Sequence, residues 1–584
     1  MCGIIAYNGK DDAMPYLIDG IRNLEYRGYD SCGCAFASGD TIQSRKDAGM
    51  VEDVIKKYGI ENEHSNMAMF HTRWATNGPV SAKNAHPISD CSGNIAVVHN
   101  GIVENWAELK QSMKGHKFRS ETDTEVIPHM IEEQMRGGKT LKGAVQHVYK
   151  NIKGSSSFVV MMSGNDEMMA LKHGSPLVLG ISKDGNFISS DVPSFAAYTN
   201  KVVYLHDGDL VSVKNDGYSI LNMVNRKALH KVSIVRMDGM DNTKSGFKHF
   251  MLKEIMEQPR LIKDLASSSM EAIKTAASNI KTTGVVYLIG AGTSFYAALI
   301  GAYNLRMNGV NAAALQPQDM RNHSRVFKKD DVFIIVSQSG ETADIISMLP
   351  LISENKKIGV FNVEESSLAR AVDIPLFINA GHEKGVAATK TFSLSAIYLV
   401  LLSMFAVGRG AEAGKDLKLL SLNIYNLFVP SVLSSINKAA AVIKKKTDVF
   451  YLGRGLEYII ALEGALKMKE VSYIHAEAID TITFRHGPLA LITKGSYAVS
   501  MVSMESRQEA IRNLREVKAR KGSIIGVSPE NSDVFDLFIK VPEAGIFSFV
   551  QEAIVAQLLS YKVSTLRGID PDHPRNLAKS VTVK

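Results

Sequence analysis

Cysteine is scarce in this chain: four residues in 584, namely Cys2, Cys32, Cys34 and Cys91, with none beyond residue 91. A secreted framework stapled by disulfides would not leave the rest of so long a chain bare, so cross-links are excluded as its source of stability. Cys32 and Cys34 lack a second Cys/His pair at zinc-site spacing and read as packing residues. Long apolar runs are missing too, none approaching the ~18 residues of a membrane span. The longest stretch, 393–407, contains Ser395 and Ser403 and reads as a buried helix. No charged segment leads into an apolar one near the start, so no membrane is expected and the cytoplasm is the expected compartment. There is no arginine-rich arm and no basic stripe interleaved with aromatics. The 67 Lys and Arg exceed the 60 Asp and Glu only diffusely, which argues against a nucleic-acid partner.

A single core stops growing near about 250–300 residues, so a chain of this length holds several domains. The first ~220 residues alternate short β-rich runs (95–99, 158–162, 202–205) with polar turns, and helical periods intervene at 13–24 and 123–134. This pattern predicts an α/β domain with antiparallel sheet over 2–224, followed by a polar linker at 225–252. Beyond it the texture changes to strand-then-helix units, the mark of a doubly wound parallel sheet. That half also repeats itself. Segments at 290, 334 and 358 recur at offsets of 163, 166 and 167 residues, so two α/β copies are expected at 253–415 and 425–565, with a tail at 566–584.

The amino-terminal chemistry begins at Met1-Cys2-Gly3. Removal of Met1 would leave one residue carrying both a thiol and an α-amine, and the amine, titrating near about 8, can act as the base. Tyr26-Arg-Gly-Tyr-Asp-Ser31 follows a helix, His71-Thr-Arg-Trp-Ala-Thr76 follows an apolar strand, and His99-Asn-Gly101 sets an amide beside a glycine N–H. These are two neutral donors suited to an oxyanion. With Thr122-Asp-Thr124, the segments resemble the N-terminal-nucleophile class of glutamine amidotransferases in order and spacing. The resemblance implies that Cys2 attacks the glutamine amide while Asn100 and Gly101 hold the oxyanion. It implies glutamine binding by Arg27, Arg73, Trp74, Thr76 and Asp123, with Arg73 on the α-carboxylate and Asp123 on the α-ammonium, both charge-assisted contacts. Trp74 would gate ammonia release. Asn77 stands where the family commonly has histidine, and activity is expected to survive that change.

In the second half, Gly290-Ala-Gly-Thr-Ser294 lies between a strand and a helix, where N–H groups favour anions. Ser337-Gln-Ser-Gly-Glu-Thr342 supplies hydroxyls and an amide without the lysine of a nucleotide loop. Such donors can hold a phosphate monoester without magnesium. These motifs resemble the sugar-isomerase (SIS) domain family, whose tandem copies match the repeat. The resemblance implies sugar-phosphate binding by Thr293, Ser294, Ser337, Gln338, Ser339, Thr342, Val386 and Ala578.

The second copy differs. Lys467 and Glu470 are neighbours at i, i+3 on a helix, followed by Arg485-His486-Gly-Pro and the Pro574–Val583 tail. All resemble the isomerase half of the glutamine-dependent amino-sugar synthases. That implies ring opening by His486, an imine on Lys579, proton transfer by Glu470 and support of the enolic oxygen by Lys467. The expected reaction carries ammonia from glutamine to fructose 6-phosphate with ketose-to-aldose isomerisation, giving glucosamine 6-phosphate. A homodimer is implied, with no cofactor and no metal. The family's Gly-Glu-Leu-Lys-His run is replaced by one ending Thr481-Ile-Thr-Phe-Arg485 before the histidine.

Overall fold

The computed structural model describes residues 2–225, 229–235, 243–280 and 284–579. The chain divides into two units, one reaching residue 242 and taking in residues 578–579, the other running from Thr243 to Leu577.

In the first unit, strand Gly3–Gly9 buries both its faces, because both are covered. Ile5 and Tyr7 face one core with helices Ala13–Leu24 and Val51–Tyr58. Ile4 and Ala6 face a second core shared with Ala96, Val98, Val159 and Met161 of another sheet. On that sheet's far side, Ile95 and Val97 pack under helices Val126–Arg136 and Leu141–Asn151. The result is four layers, helix–sheet–sheet–helix, around an eight-stranded and a six-stranded sheet. All described pairings in both are antiparallel. Helix Ala13–Leu24 starts where Asp12 accepts the Met14 N–H, an N-cap. The helical period from 123 behaves differently: Asp123–Glu125 form a 3₁₀ turn and the α-helix begins at Val126. The carboxylates of Asp123 and Glu125 are turned onto the N–H groups of Val103, Arg119 and Ser120.

The second unit holds two five-stranded parallel sheets. The first runs, edge to edge, Ala312–Leu315, Val286–Ile289, Val332–Ser337, Lys356–Phe361, Ile374–Phe377; the second His475–Asp480, Asp448–Gly453, Tyr497–Met501, Ser523–Ser528, Leu537–Lys540. Numbered within each copy, both orders are 2-1-3-4-5. The chain reverses direction across the sheet between the first and third strands, and ligands bind at the carboxyl ends there. The repeat read from the sequence is therefore structural. Helix Lys390–Ala406 is buried almost throughout, as its apolar run predicts. The helix Phe250–Ser267 begins just inside the span read as linker, and Gly410–Asn423 and Pro430–Ile443 lead from one copy to the next. Among the described residues no single helix is long and apolar enough to cross a membrane.

Candidate active site

Two constellations emerge, one in each unit. In the first, strand register brings the motifs together. Gly3 pairs with Thr72 and Ser31 with Arg73, so Cys2 and Arg73 sit at the same end of the eight-stranded sheet. Asn100 and Gly101 close a strand of the other sheet, opposite Ser157 and Ser156. The Trp74 N–H donates to Cys2 Sγ at 3.2 Å. Burial pushes the Cys2 thiol up, while that N–H and the charges of Arg73 and Arg27 pull it back.

Asn100 is oriented from behind. His71 Nε2–H donates to Asn100 Oδ1 (3.1 Å) and to the His99 carbonyl (3.0 Å). Burial pushes the His71 imidazole down to about 3, so it is neutral with its proton on Nε2. The amide nitrogen of Asn100 therefore faces Cys2, donating to the Cys2 carbonyl (3.0 Å) and to Ser190 Oγ (2.8 Å). Ser190 Oγ also accepts the Ile4 N–H at 2.8 Å, fastening the two sheets beside the thiol. Gly101 has φ +141, and a Cβ there would meet the Ser155 carbonyl oxygen at 2.0 Å, so only glycine fits.

Arg27 donates to the Cys2 carbonyl (3.2 Å) and pairs with Asp191 (3.2 Å). Arg73 is buried and cages the loop after it, donating to the carbonyls of Asn77, Gly78 and Pro79. Asn77 thus meets Arg73 through its backbone carbonyl, a contact that does not depend on its side chain. Asp123 accepts the Val103 N–H at 2.7 Å. Trp74 is half-buried, edge-on to Tyr29 at 6.1 Å, and Thr76 is exposed. Sequence reading passed over His71 and Ser190; position 71 lay inside a quoted motif, but only the fold shows what its ring holds.

In the second unit, Gly292 (φ +55) turns the chain into helix Thr293–Met307. Ser337 Oγ lies 2.9 Å from Thr342 Oγ1 and accepts the Gly340 N–H at 3.1 Å; Ser339 Oγ accepts the Glu341 N–H at 3.2 Å. Both turns follow the first and third strands, at the switch point. Gln338 and Ser294 are half-buried and Val386 is buried. The segment around Val386 is held by Glu254, which accepts the Gly385 N–H (3.2 Å), and by Glu383, which accepts those of Thr389 (3.0 Å) and Thr391 (3.1 Å).

Helix Leu456–Ser472 of the second copy joins this site. Lys467 Nζ lies 2.6 Å from Glu470 Oε2 and 3.4 Å from Glu463 Oε1, and donates to Thr293 Oγ1 at 3.0 Å. Thr293 in turn donates to Glu463 Oε2 at 3.1 Å. The Lys467 side chain is 1% exposed, so these are not surface ion pairs. Burial opposes its charge, but Glu463 and Glu470 outweigh that and hold it above the usual lysine range. Burial, with Glu470 beside it, pushes Glu463 up to about 8 against the pull of Lys467. Glu463 was missed from the sequence, although its place four residues before Lys467 is a helical signal.

The second copy repeats the glycine turn, with Gly455 at φ +59, but fills it differently. Glu457, in the position of Ser294, accepts from Ser506 Oγ at 3.4 Å and is buried. An internal carboxylate thus occupies the place where the first copy presents hydroxyls. His486 is exposed, on the short turn Thr483–His486. Arg485 before it is tied to Asn513 and Glu516, which anchors the altered run. Ala578 and Lys579 are half-buried and group with the first unit rather than with the preceding tail.

Comparison with known proteins identifies the domains that carry these constellations. A glutamine amidotransferase domain model matches residues 71–197, and a SIS domain model matches 280–406 and 442–565. The chain is 39% identical to the glutamine–fructose-6-phosphate aminotransferase (isomerizing) of Thermococcus kodakarensis and 38% identical to that of Pyrococcus horikoshii, all of both chains being covered in each case. The C-terminal domain of glucosamine-fructose-6-phosphate aminotransferase from Francisella tularensis superposes with a TM-score of 0.53 at 32% identity, covering 57% of this chain and all of that one.

Proposed function

The chain belongs to the glutamine–fructose-6-phosphate aminotransferase (isomerizing) family, and from that premise we propose the residues by which it makes glucosamine 6-phosphate and glutamate from fructose 6-phosphate and glutamine. The assignment covers a glutaminase at 2–224, SIS copies at 253–415 and 425–565 and a catalytic tail at 566–584, joined by a linker at 225–252.

With Met1 removed, the α-amine of Cys2 takes the thiol proton and the sulfur attacks the glutamine amide carbon. The developing oxyanion takes over an Asn100 N–H and meets that of Gly101. Ammonia leaves with the returned proton, and water releases glutamate from the thioester. Arg73 exchanges its loop carbonyls for the α-carboxylate, and Asp123 receives the α-ammonium.

In the isomerase half, the Ser337–Thr342 hydroxyls and the Thr293 turn take the phosphate, and Val386 and Ala578 bound the sugar. His486 moves the proton that opens the ring. Lys579 condenses with the C2 ketone to an imine with loss of water, and ammonia displaces the lysine. Glu470 removes the C1 proton and returns it to C2, the C1 hydroxyl proton passes to the nitrogen as aldehyde and amine form, and Lys467 steadies the oxygen that loses it. The observation that carries this reading is the contact of Lys467 with both Glu470 and Thr293, which joins an acid–base carboxylate to the phosphate turn. The exposure of His486 favours a homodimer in which this side chain serves its partner's site. Four unpaired thiols suit the reducing cytoplasm.

The test is to supply glutamine and fructose 6-phosphate and follow glutamate and amino sugar separately. Cys2→Ala should lose glutamine hydrolysis and keep sugar isomerisation, mature protein should begin at Cys2, and light scattering should give twice the chain mass. Loss of both activities in folded Cys2→Ala, or full activity with Met1 retained, contradicts the assignment.

A further inference from the structure

Away from the thiol, four side chains that no step above uses converge on one point. Cys91 comes from the turn between strands Ile88–Ser89 and Ile95–Gly101, and His116 from the segment after helix Trp106–Ser112. His129 and Glu132 come from one face of helix Val126–Arg136. Cys91 Sγ lies 3.5 Å from His116 Nδ1 and 3.7 Å from His129 Nδ1. The two Nδ1 atoms are 3.2 Å apart, and Glu132 Oε2 is 3.1 Å from the first and 3.3 Å from the second. The side chains of His116, His129 and Glu132 are 3%, 0% and 4% exposed.

Five of the six edges among these four ligand atoms are thereby fixed, and all four lie within 4.8 Å of one another. Zinc bonds of about 2.3 Å to sulfur and about 2.0–2.1 Å to nitrogen or oxygen imply edges of about 3.6 Å from sulfur to nitrogen and about 3.3 Å among the lighter ligands. The observed edges match both classes. Proton counting points the same way. His116 Nε2 faces Glu133 Oε1 at 3.4 Å and His129 Nε2 faces Glu125 Oε1 at 3.6 Å, ion-pair distances at which each outer carboxylate favours the tautomer with its proton on Nε2 and a lone pair on the inner Nδ1. Two inner lone pairs, a carboxylate oxygen and a sulfur then meet with only the thiol proton among them. A cation resolves that arrangement, and carboxylate–histidine pairs behind the ligands are the usual outer support of a metal site. The Lys117 N–H, 3.3 Å from the sulfur, suits a thiolate.

We propose that Cys91, His116, His129 and Glu132 bind one structural Zn²⁺ ion. Thiolate and carboxylate balance its charge, and binding releases the thiol proton. Four protein ligands leave no open position, so the ion supports the fold rather than the chemistry. It clamps the segment carrying His116 to the helix, and that segment runs through Ser120, held by Glu125, directly into Asp123.

The full-length protein, expressed with zinc and passed through metal-free buffer, should retain about one zinc per chain. Cys91→Ser with His129→Gln should lower that content about tenfold or more. Because the double variant can fail to fold, the wild type is also stripped with a chelator and titrated with Zn²⁺. Zinc should raise its unfolding temperature and protect Cys91 from alkylation. Cobalt put in its place should show a sulfur-to-metal charge-transfer band. Zinc content near zero, zinc retained equally by the variant, another metal at stoichiometric level, or Cys91 alkylated equally with and without zinc each overturns the assignment.

Discussion

At the scale of single residues, the glutaminase site depends on which atom of a ring carries a proton. His71 fixes the Asn100 amide by donating from Nε2, and that works because the ring stays neutral. Its neutrality has a stability consequence. In the unfolded chain a histidine takes up a proton below about 6.5; in the fold His71 resists until about 3. Between those values the unfolded state binds more protons, so stability is complete above the upper one and is lost as pH falls through the window. One such group contributes a slope of at most about 1.4 kcal/mol per pH unit. His86 and His99, pushed down by burial as well, add to it. His71→Gln keeps a terminal N–H donor at a similar reach and removes the titration. Its urea midpoint should therefore fall less steeply than that of the wild type between about pH 7.5 and pH 5. Equal slopes would mean that His71 is not the group responsible.

Among elements, the second unit is tied by a polar contact inside an apolar assembly. Gln258 of helix Phe250–Ser267 donates to Gln557 Oε1 at 2.8 Å, and Gln557 of helix Ser548–Leu566 donates to the Thr389 carbonyl at 3.2 Å. Both glutamines are fully buried. Gln557→Ala takes the acceptor from a buried Gln258 N–H, while the Thr389 carbonyl keeps the Ser393 N–H at 3.3 Å, so it should destabilise this unit by about 1–3 kcal/mol. A calorimetric trace would show the loss as a lower transition temperature, and an unchanged trace would remove the contact from the account. Such contacts mark where sequence reading stops. Helix Ala13–Leu24 was legible from its period, helix Lys390–Ala406 from its apolar run, and the two parallel sheets from strands repeating at a near-constant offset. Some motif residues were legible because they sit at a strand or helix end beside glycine, as Cys2, Arg27, Asn100 and His486 do, and others only because they belong to longer motifs, as Arg73 and Lys467 do. What stayed hidden needs partners distant in the chain: Ser190 between two sheets, Glu463 against Thr293, and Cys91 with His116 and His129. The 3₁₀ turn Asp123–Glu125 was hidden for the same reason, since its carboxylates answer N–H groups elsewhere.

For the molecule as a whole, two chemistries must exchange an intermediate that water would protonate and dilute. An amino-sugar synthase therefore gains if ammonia leaves the thiol toward the acceptor and not toward solvent. Trp74 is placed to influence that departure. Its backbone N–H is on the Cys2 sulfur, Arg73 before it cages the following loop, and its half-buried ring rests edge-on against Tyr29. A ring so placed can move without opening the core, because it belongs to none of the apolar clusters that hold the sheets. Trp74→Ala should keep much of the glutaminase activity while the ratio of glucosamine 6-phosphate to glutamate falls well below one. Two controls separate gating from damage. The unfolding temperature of the variant must match that of the wild type, since removing a large side chain also costs packing, and isomerisation without glutamine must be unchanged. A stoichiometry near one with both controls satisfied would assign the direction of ammonia to other residues and leave Trp74 a packing partner of Tyr29.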